Sequence, residues 1–324
     1  MGVQVKLLRL LTTVLALALV AFLISRVQLG EIGRAFKSLS LAATIIGFLV
    51  YLLFNMVKAI RFSLLLKGEI SPTRLLPVML LYSFWSNLLP MRAGDLSYLY
   101  MVKTGDGVKL TRGLSSLIIG SAVDASLNLV LLLALGLYFI GQLEGSLSLA
   151  TLFIIPLGFI LLLIGSLGLL WIKGAKLAMW FRDKGWLSRV VLDRVADLLE
   201  EIGRFRSREI LLGIVPVSSL ALGIRLILQC YLVDGMKFGF GWLKVIFALS
   251  FTGFFNLIPI QSVAGLGTVE APWSWALVSL GEESGRAIAS GFSLHGLIIG
   301  YSLICGGLGF TIRGLINRGG IRSG

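Results

Sequence analysis

The sequence predicts an all-α polytopic membrane protein: six transmembrane spans plus two oppositely entering re-entrant helical hairpins, arranged as an inverted-topology internal repeat. Three observations point there. Hydrophobic residues make up 57% of the 324-residue chain and charged residues only 14%, against about 25% charged in soluble domains, and mean hydropathy is +0.95. Long apolar runs are flanked by Lys and Arg, as the positive-inside rule expects. Finally, one broken apolar stretch, Phe84-Trp85-Ser86-Asn87-Leu88-Leu89-Pro90-Met91-Arg92-Ala93-Gly94-Asp95, has a near copy 169 positions later in Phe254-Phe255-Asn256-Leu257-Ile258-Pro259. A β-barrel would need alternating segments of about ten residues, whereas residues 127–137 are apolar at nearly every position.

The formal charge of +13 would suggest nucleic acid in a soluble chain. Here the cations flank apolar segments, so anionic headgroups are the expected contacts and nucleic acid is not. The cysteines, Cys230 and Cys305, lie in apolar segments without ligand spacing and read as free thiols.

In order, residues 7–24 form the first span, too long and without a small-residue cleavage site to be a signal peptide. Residues 41–60 form the second, followed by Lys58, Arg61, Lys67 and Arg74, read together as one cytoplasmic cationic loop. The run 75–89 covers about 22 Å as a helix, short of the roughly 30 Å hydrocarbon core. Pro90, Arg92, Gly94 and Asp95 then interrupt it, and residues 96–102 lead back to Lys103, Lys109 and Arg112. Basic loops at both ends predict a hairpin that enters and leaves by the cytoplasmic face. Broken backbone at such depth is tolerated only beside protein or a wet cavity.

The third span, 114–140, carries Asp124 and Asn128, four apart and therefore on one face. The fourth is 147–171, and a basic stretch follows at 173–208. Within it, residues 190–205 show an amphipathic pattern, which fits a helix on the inner membrane surface or a linker helix packed against loops. The fifth span, 210–233, contains Arg225 and Gln229. Residues 242–280 form the second interrupted region, with Pro259, Gly265, Gly267 and Glu270 around its bend, and the acidic link Glu282-Glu283 suits the outer face. The sixth span, 286–312, ends in Arg313, Arg318 and Arg322, which places both termini in the cytoplasm. The whole reads as one membrane domain, with repeat halves 1–142 and 146–316 related by an in-plane pseudo-twofold axis, an architecture recurrent in alternating access.

Asn87 and Asn256 each precede a Pro by three and are placed to satisfy carbonyls that the Pro frees. They cap the broken helices, and exposed helix ends also bind ions. Arg92 and Asp95 either pair with each other or serve a substrate, because ionised groups in hydrocarbon are costly. Arg225, near mid-membrane, needs Asp124, Glu270 or a substrate phosphate. Gly265 and Gly267 allow close backbone approach. Arg61 and Arg112 could snorkel to lipid phosphates. His295, the sole histidine, reads as a hydrogen-bonded packing residue. No nucleophile elbow, phosphate loop or histidine-rich zinc site occurs, so the chain is not expected to be an enzyme, and neither a cofactor nor a metal is expected.

At Asn87-Leu88-Leu89-Pro90-Met91-Arg92-Ala93-Gly94-Asp95 the chain resembles the lysylphosphatidylglycerol synthase transmembrane-region family, whose pattern is N-x-x-P-x-R-x-G-(E/D). The family's second motif, N-x-x-P followed by P-G-G-x-G and Glu, is similar to Asn256 to Pro259 with Gly265, Gly267 and Glu270. Here Ser262-Val263-Ala264-Gly265 replaces P-G-G with about one extra residue. The resemblance covers essentially the whole chain and implies movement of lipids across the bilayer. In the resistance proteins that carry this region, an attached soluble domain aminoacylates phosphatidylglycerol; the chain has no room for it, and synthase activity is not expected.

The expected function is translocation of an anionic or zwitterionic phospholipid or a polyprenyl-phosphate lipid. Arg92, Arg225, Asn87, Asn256, Gly265 and Gly267 would hold the headgroup, with Asp95, Asp124 and Glu270 tuning charge or coupling to protons. Expected partners are anionic or phosphate-bearing membrane lipids, with a second copy of the chain allowed for. The alternatives are a small-solute or ion-coupled transporter on the same architecture, and a lipid-binding subunit that moves nothing.

Overall fold

The computed structural model describes residues 29–90, 93–142, 158, 189–205, 207–256 and 262–320, and among these all regular structure is helical. The helices are α1 (Leu29–Ser38), α2 (Leu41–Leu65), α3 (Pro72–Leu88), α4 (Ala93–Asp106), α5 (Leu110–Tyr138), α6 (Arg189–Gly203), α7 (Val215–Gly235), α8 (Trp242–Phe255), α9 (Glu270–Val278) and α10 (Ser284–Gly320). A π-helical turn, Ile210–Ile214, leads into α7. Four stretches are long and apolar enough to cross a membrane: Leu41–Leu65, Leu110–Tyr138, Ile210–Gly235 and Ser284–Ile316. They coincide with the second, third, fifth and sixth expected spans. The first, at 7–24, and the fourth, at 147–171, lie outside the described residues apart from Gly158.

Burial on α2 is the reverse of a soluble helix. Leu41, Ile45, Leu49, Leu53, Met56, Ile60 and Leu64 form an exposed stripe at helical spacing, while Asn55, Lys58 and Arg61 are buried. An apolar stripe of this length suits hydrocarbon rather than water. Ser40 starts the helix, its Oγ accepting from the Ala43 amide at 3.1 Å. Arg61 does not stop it: α2 runs on to Leu65, so Lys58 and Arg61, expected in a cytoplasmic loop, belong to the helix interior. Both charged heads have protein partners, Ser83 for Lys58 and Asp124 for Arg61, with Arg61 Nε left over.

Pro72 opens α3 at a position where its missing N–H costs nothing. The helix ends at Leu88, with Pro90 next but one beyond it. α4 folds back antiparallel. Tyr82 Oη donates to Asp95 Oδ1 at 2.8 Å, and the Tyr82 and Tyr98 rings lie 5.9 Å apart. Near the tip a Cβ on Gly94 would run into the Ser86 backbone, so glycine sets the approach of the two helices. α8 and α9 repeat the arrangement: Trp275 stacks edge-on against Phe251 at 5.5 Å, and Lys244 Nζ donates to the Leu280 carbonyl at 3.0 Å and to Glu282 Oε1 at 2.6 Å. With 17 and 14 residues, the leading helices α3 and α8 measure about 25 and 21 Å.

Other contacts join helices far apart in the chain. α2 packs on α7, α5 on α8, and α10 on α3. Asn128 Nδ2 on α5 donates to the Ser250 carbonyl on α8 at 2.7 Å, and Phe84 of α3 meets Phe310 of α10 at 6.2 Å. At one end of the bundle Arg112 bonds both Glu69 and Glu201, with its Nε 3.2 Å from Glu201 Oε2, and Lys67 donates to the Arg204 carbonyl at 2.9 Å. This fastens α6 to α5 and gives Arg112 carboxylate partners in place of the lipid phosphates expected of it. The opposite end holds the Lys244–Glu282 pair, Arg286 on the Phe238 carbonyl, and Ser38 Oγ on the Met236 carbonyl at 3.0 Å. α3 begins and α4 ends at the first of these ends; α8 begins and α9 ends at the second.

Candidate functional site: a cationic cavity between two helical hairpins

α2, α3, α7, α8, α9 and α10 enclose a cavity of about 300 Å³, and a second of about 210 Å³ adjoins it towards α5. Phe54, Lys58, Tyr82 and Arg225 line both, so the two are lobes of one site. The smaller lobe is cationic, with Lys58, Arg61 and Arg225 against Asp124. The larger presents neutral polar groups, among them Asn87, Gln229, Thr252 and Asn256, with Tyr51 and Trp273 as aromatic walls.

Asp124 bonds Arg61 across from α5 to α2, so it is not the partner of Arg225 by direct contact. Arg225 Nε is buried without a hydrogen-bond partner, and among the described residues no carboxylate stands within ion-pair distance of its guanidinium. Arg61 Nε, in the same lobe, is likewise buried without a partner.

Lys58 is 9% exposed. Its Nζ donates to Ser83 Oγ at 3.0 Å, and Ser83 Oγ donates to Asn55 Oδ1 at 2.6 Å. Its amine also lies 4.5 Å from the Tyr82 ring centroid. Asn87 Nδ2 donates to the Ser83 carbonyl four residues earlier, at 2.9 Å, and to Tyr51 Oη at 3.4 Å. The amide lines the cavity but bonds within its own helix, to Ser83 O rather than to the Ser86 carbonyl that Pro90 leaves without an N–H. On the second hairpin Asn256 follows the last residue of α8, its backbone amide bonding Thr252 O at 3.0 Å, whereas Asn87 lies within α3.

The second bend has its own geometry. Ala264, Gly265 and Gly267 have φ of 51°, 67° and 80°, left-handed conformations that glycine adopts without strain and alanine does not. Their amides are engaged within the chain: Gly265 N donates to the Ser262 carbonyl at 3.1 Å and Gly267 N to Glu270 Oε2 at 2.7 Å. The other oxygen of Glu270 meets His295 Nδ1 at 2.7 Å. Glu270 is fully buried, and His295 covers it on the cavity side.

Of the residues singled out from sequence, the structure brings Asn87, Asn256 and Arg225 to the larger lobe and Asp124 to the smaller. Glu270 sits one contact behind, through His295. Asp95 is turned to Tyr82, outside either lining. Arg92 lies outside the described residues. Lys58, Tyr82 and Ser83 were missed. Lys58 carried a signal, a cation three residues before Arg61 with apolar residues on both sides, which resembles the ordinary flank of a span.

Fold and site together define a polytopic helical membrane protein with a polar cavity enclosed between two helical hairpins. Compared with protein families, residues 8–306 match the model of the lysylphosphatidylglycerol synthase TM region, and the chain belongs to that family. It is the family expected from the motif at Asn87 to Asp95. No curated protein and no solved structure matched the chain. The family is defined by a membrane region rather than a catalytic domain, and its membership supports a lipid-handling membrane protein that is not an enzyme. Among the described residues no group of three His, Cys, Asp or Glu side chains could hold a metal.

Proposed function

We propose that the chain translocates phosphate-bearing lipids, with the headgroup passing through the two-lobed cavity while the acyl chains stay in the bilayer. The observation that carries this reading is the imbalance of charge in the smaller lobe. Two guanidiniums and one amine face a single carboxylate, and that carboxylate is bound to Arg61. A buried cationic site of this kind is costly without an anion, and phosphate supplies one with geometry suited to Arg. In this reading Arg225 and Lys58 hold the phosphate; Asn87 and Asn256 contact the headgroup from the two hairpins; Asp124 and Glu270 tune the charge. Arg92, from the same sequence motif as Asn87, is assigned to the headgroup as well.

The same reading takes α3–α4 and α8–α9 as re-entrant hairpins from opposite faces, within six spans and two inverted halves. Their starting and ending points at opposite ends of the bundle support it, as does the exchange of α5 onto α8 and α10 onto α3. Alternating access then needs only one hairpin to loosen while the other stays closed.

The test is a transbilayer assay on the purified chain in proteoliposomes, reading outer-leaflet accessibility of phospholipid headgroups. Accelerated exchange is expected, falling at least tenfold in Arg225→Gln. Transbilayer rates equal to those of empty liposomes for every phosphate-bearing lipid tried would sink the proposal.

A further inference from the structure

Glu270 and His295 are buried together beside the larger lobe, and the ring of His295 forms part of its wall. We infer that the pair is a proton-binding site that loads together with the anionic headgroup. The inference rests on the translocation reading for its cargo and adds the ion that travels with it.

The geometry is that of a carboxylate-backed imidazole. Glu270 accepts from the Gly267 amide on Oε2 and meets His295 Nδ1 on Oε1, each at 2.7 Å. With Nδ1–H donating to the carboxylate, the tautomer leaves the ring's lone pair on Nε2. Among the described residues nothing bonds Nε2, and the ring lines the lobe. Gly265 makes room for that edge of the ring: a Cβ there would stand 3.2 Å from Cε1 and 3.6 Å from Nε2. The bend that brings it so close is strained, since Ala264 takes a φ of 51°.

A proton is the charge that the pair lacks. A carboxylate taken out of water is costly without a cation, and among the described residues no Lys or Arg pairs with Glu270. With the ring neutral the pair carries one negative charge, and a proton taken by Nε2 from the lobe cancels it. Only an N–H bond forms, and the same proton leaves to water on release.

The other ionisable groups around the lobe are accounted for. Tyr51 and Lys58 come from α2, Tyr82 from α3 and Arg225 from α7, while α8 brings only neutral groups to the wall. Asp95 of α4 is held behind Tyr82, Asp124 of α5 by Arg61, and Glu31 of α1 by Arg34. An anion seated on Lys58 and Arg225 is repelled by the unprotonated pair and not by the protonated one. Anion and proton therefore favour each other's loading.

His295 is the only histidine in the chain, so isotope-labelled histidine reports this ring alone when purification uses a histidine-free tag. Nitrogen NMR follows the full chain in phosphatidylcholine nanodiscs from about pH 9 to about pH 5, a range that brackets ordinary imidazole titration. Nε2 is expected to pass from unprotonated to protonated while Nδ1 keeps its proton throughout. Glu270→Gln is expected to lower the Nε2-protonated fraction at the native midpoint at least threefold. A ring that holds one protonation state across the range overturns the site, as does a Glu270→Gln variant that titrates like the native chain.

A second arm uses proteoliposomes with trace acyl-labelled fluorescent phosphatidylglycerol, the membrane potential clamped and the lumen one pH unit more alkaline. Labelled lipid is expected to collect in the inner leaflet at least threefold over the outer; one proton per lipid sets a ceiling of about tenfold. His295→Gln, which can still donate to Glu270 but takes up no proton, is expected to leave the leaflets equal, and accumulation by that variant overturns the inference. Rapid exchange without accumulation in the native chain overturns the coupling and leaves translocation standing. A ring that titrates in a chain that moves no lipid ends the translocation reading and leaves the proton site standing.

Discussion

Lys58 shows how a charged side chain is kept inside a membrane bundle. Its amine rests on Ser83 Oγ, which in turn donates to Asn55, so one hydroxyl serves two buried polar groups from α2. Ser83→Ala would leave both without that partner, at about 1–3 kcal/mol for each unsatisfied group. A fall in the thermal unfolding midpoint of the detergent-solubilised protein is expected, and an unchanged midpoint would contradict the network. Glu270 makes a similar case on the second hairpin. Removing the carboxylate in Glu270→Ala strips His295 and the Gly267 amide of their shared acceptor. The expected loss is about 3 kcal/mol or more, whereas Glu270→Gln, which can still accept from Gly267, is expected to retain most of the stability. Arg225, Asn87 and Asn256 were legible in the sequence because a charge or amide deep in an apolar run stands out. Lys58 was not, because a cation near the end of such a run is indistinguishable from the flank that the positive-inside rule supplies.

At the level of elements, α2 keeps a charge that hydropathy would leave outside the span. Hydropathy alone ends the span near Ile60, before Arg61, yet the helix continues to Leu65, and Asp124 of α5 meets the Arg61 guanidinium inside the bundle. Asp124→Ala is expected to destabilise the bundle by about 1–3 kcal/mol, since a buried guanidinium loses its partner. The double variant Arg61→Leu with Asp124→Leu is expected to recover most of that loss. Denaturation in mild detergent measures both, and a double variant no better than the single would refute the pairing. The first hairpin depends on shape in the same way. Gly94→Val forces a side chain against the Ser86 backbone, with an expected cost of about 1–3 kcal/mol and a drop in lipid exchange. The interruptions themselves were readable, because Pro90 and Pro259 act on their own stretch of chain. How closely α3 and α4 approach was not.

For the molecule as a whole, the opposed hairpins make a labelling prediction. Single cysteines introduced at Ser71 and Lys109 flank α3–α4, and those at Gly241 and Ser284 flank α8–α9, all at exposed positions. Cys230 and Cys305 are free and buried, which keeps the background low. The first pair is expected to react with an impermeant maleimide from one side of oriented vesicles and the second pair from the other. Reaction of 71 and 109 from different sides would mean that α3–α4 crosses fully, and the two-sided arrangement would fall.

Hydropathy, the flanking cations and the repeated Asn-x-x-Pro break determined from the sequence alone that this is a helical membrane protein of its family, because each of these acts over one turn or one bilayer thickness. Which charges cancel was decided only by tertiary packing. Arg61 meets Asp124 across 63 positions of chain and Glu270 meets His295 across 25, leaving Arg225 without a carboxylate among the described residues. In a low-dielectric interior a charge is compensated only by the group that packing brings to it, and the sequence does not say which groups will touch.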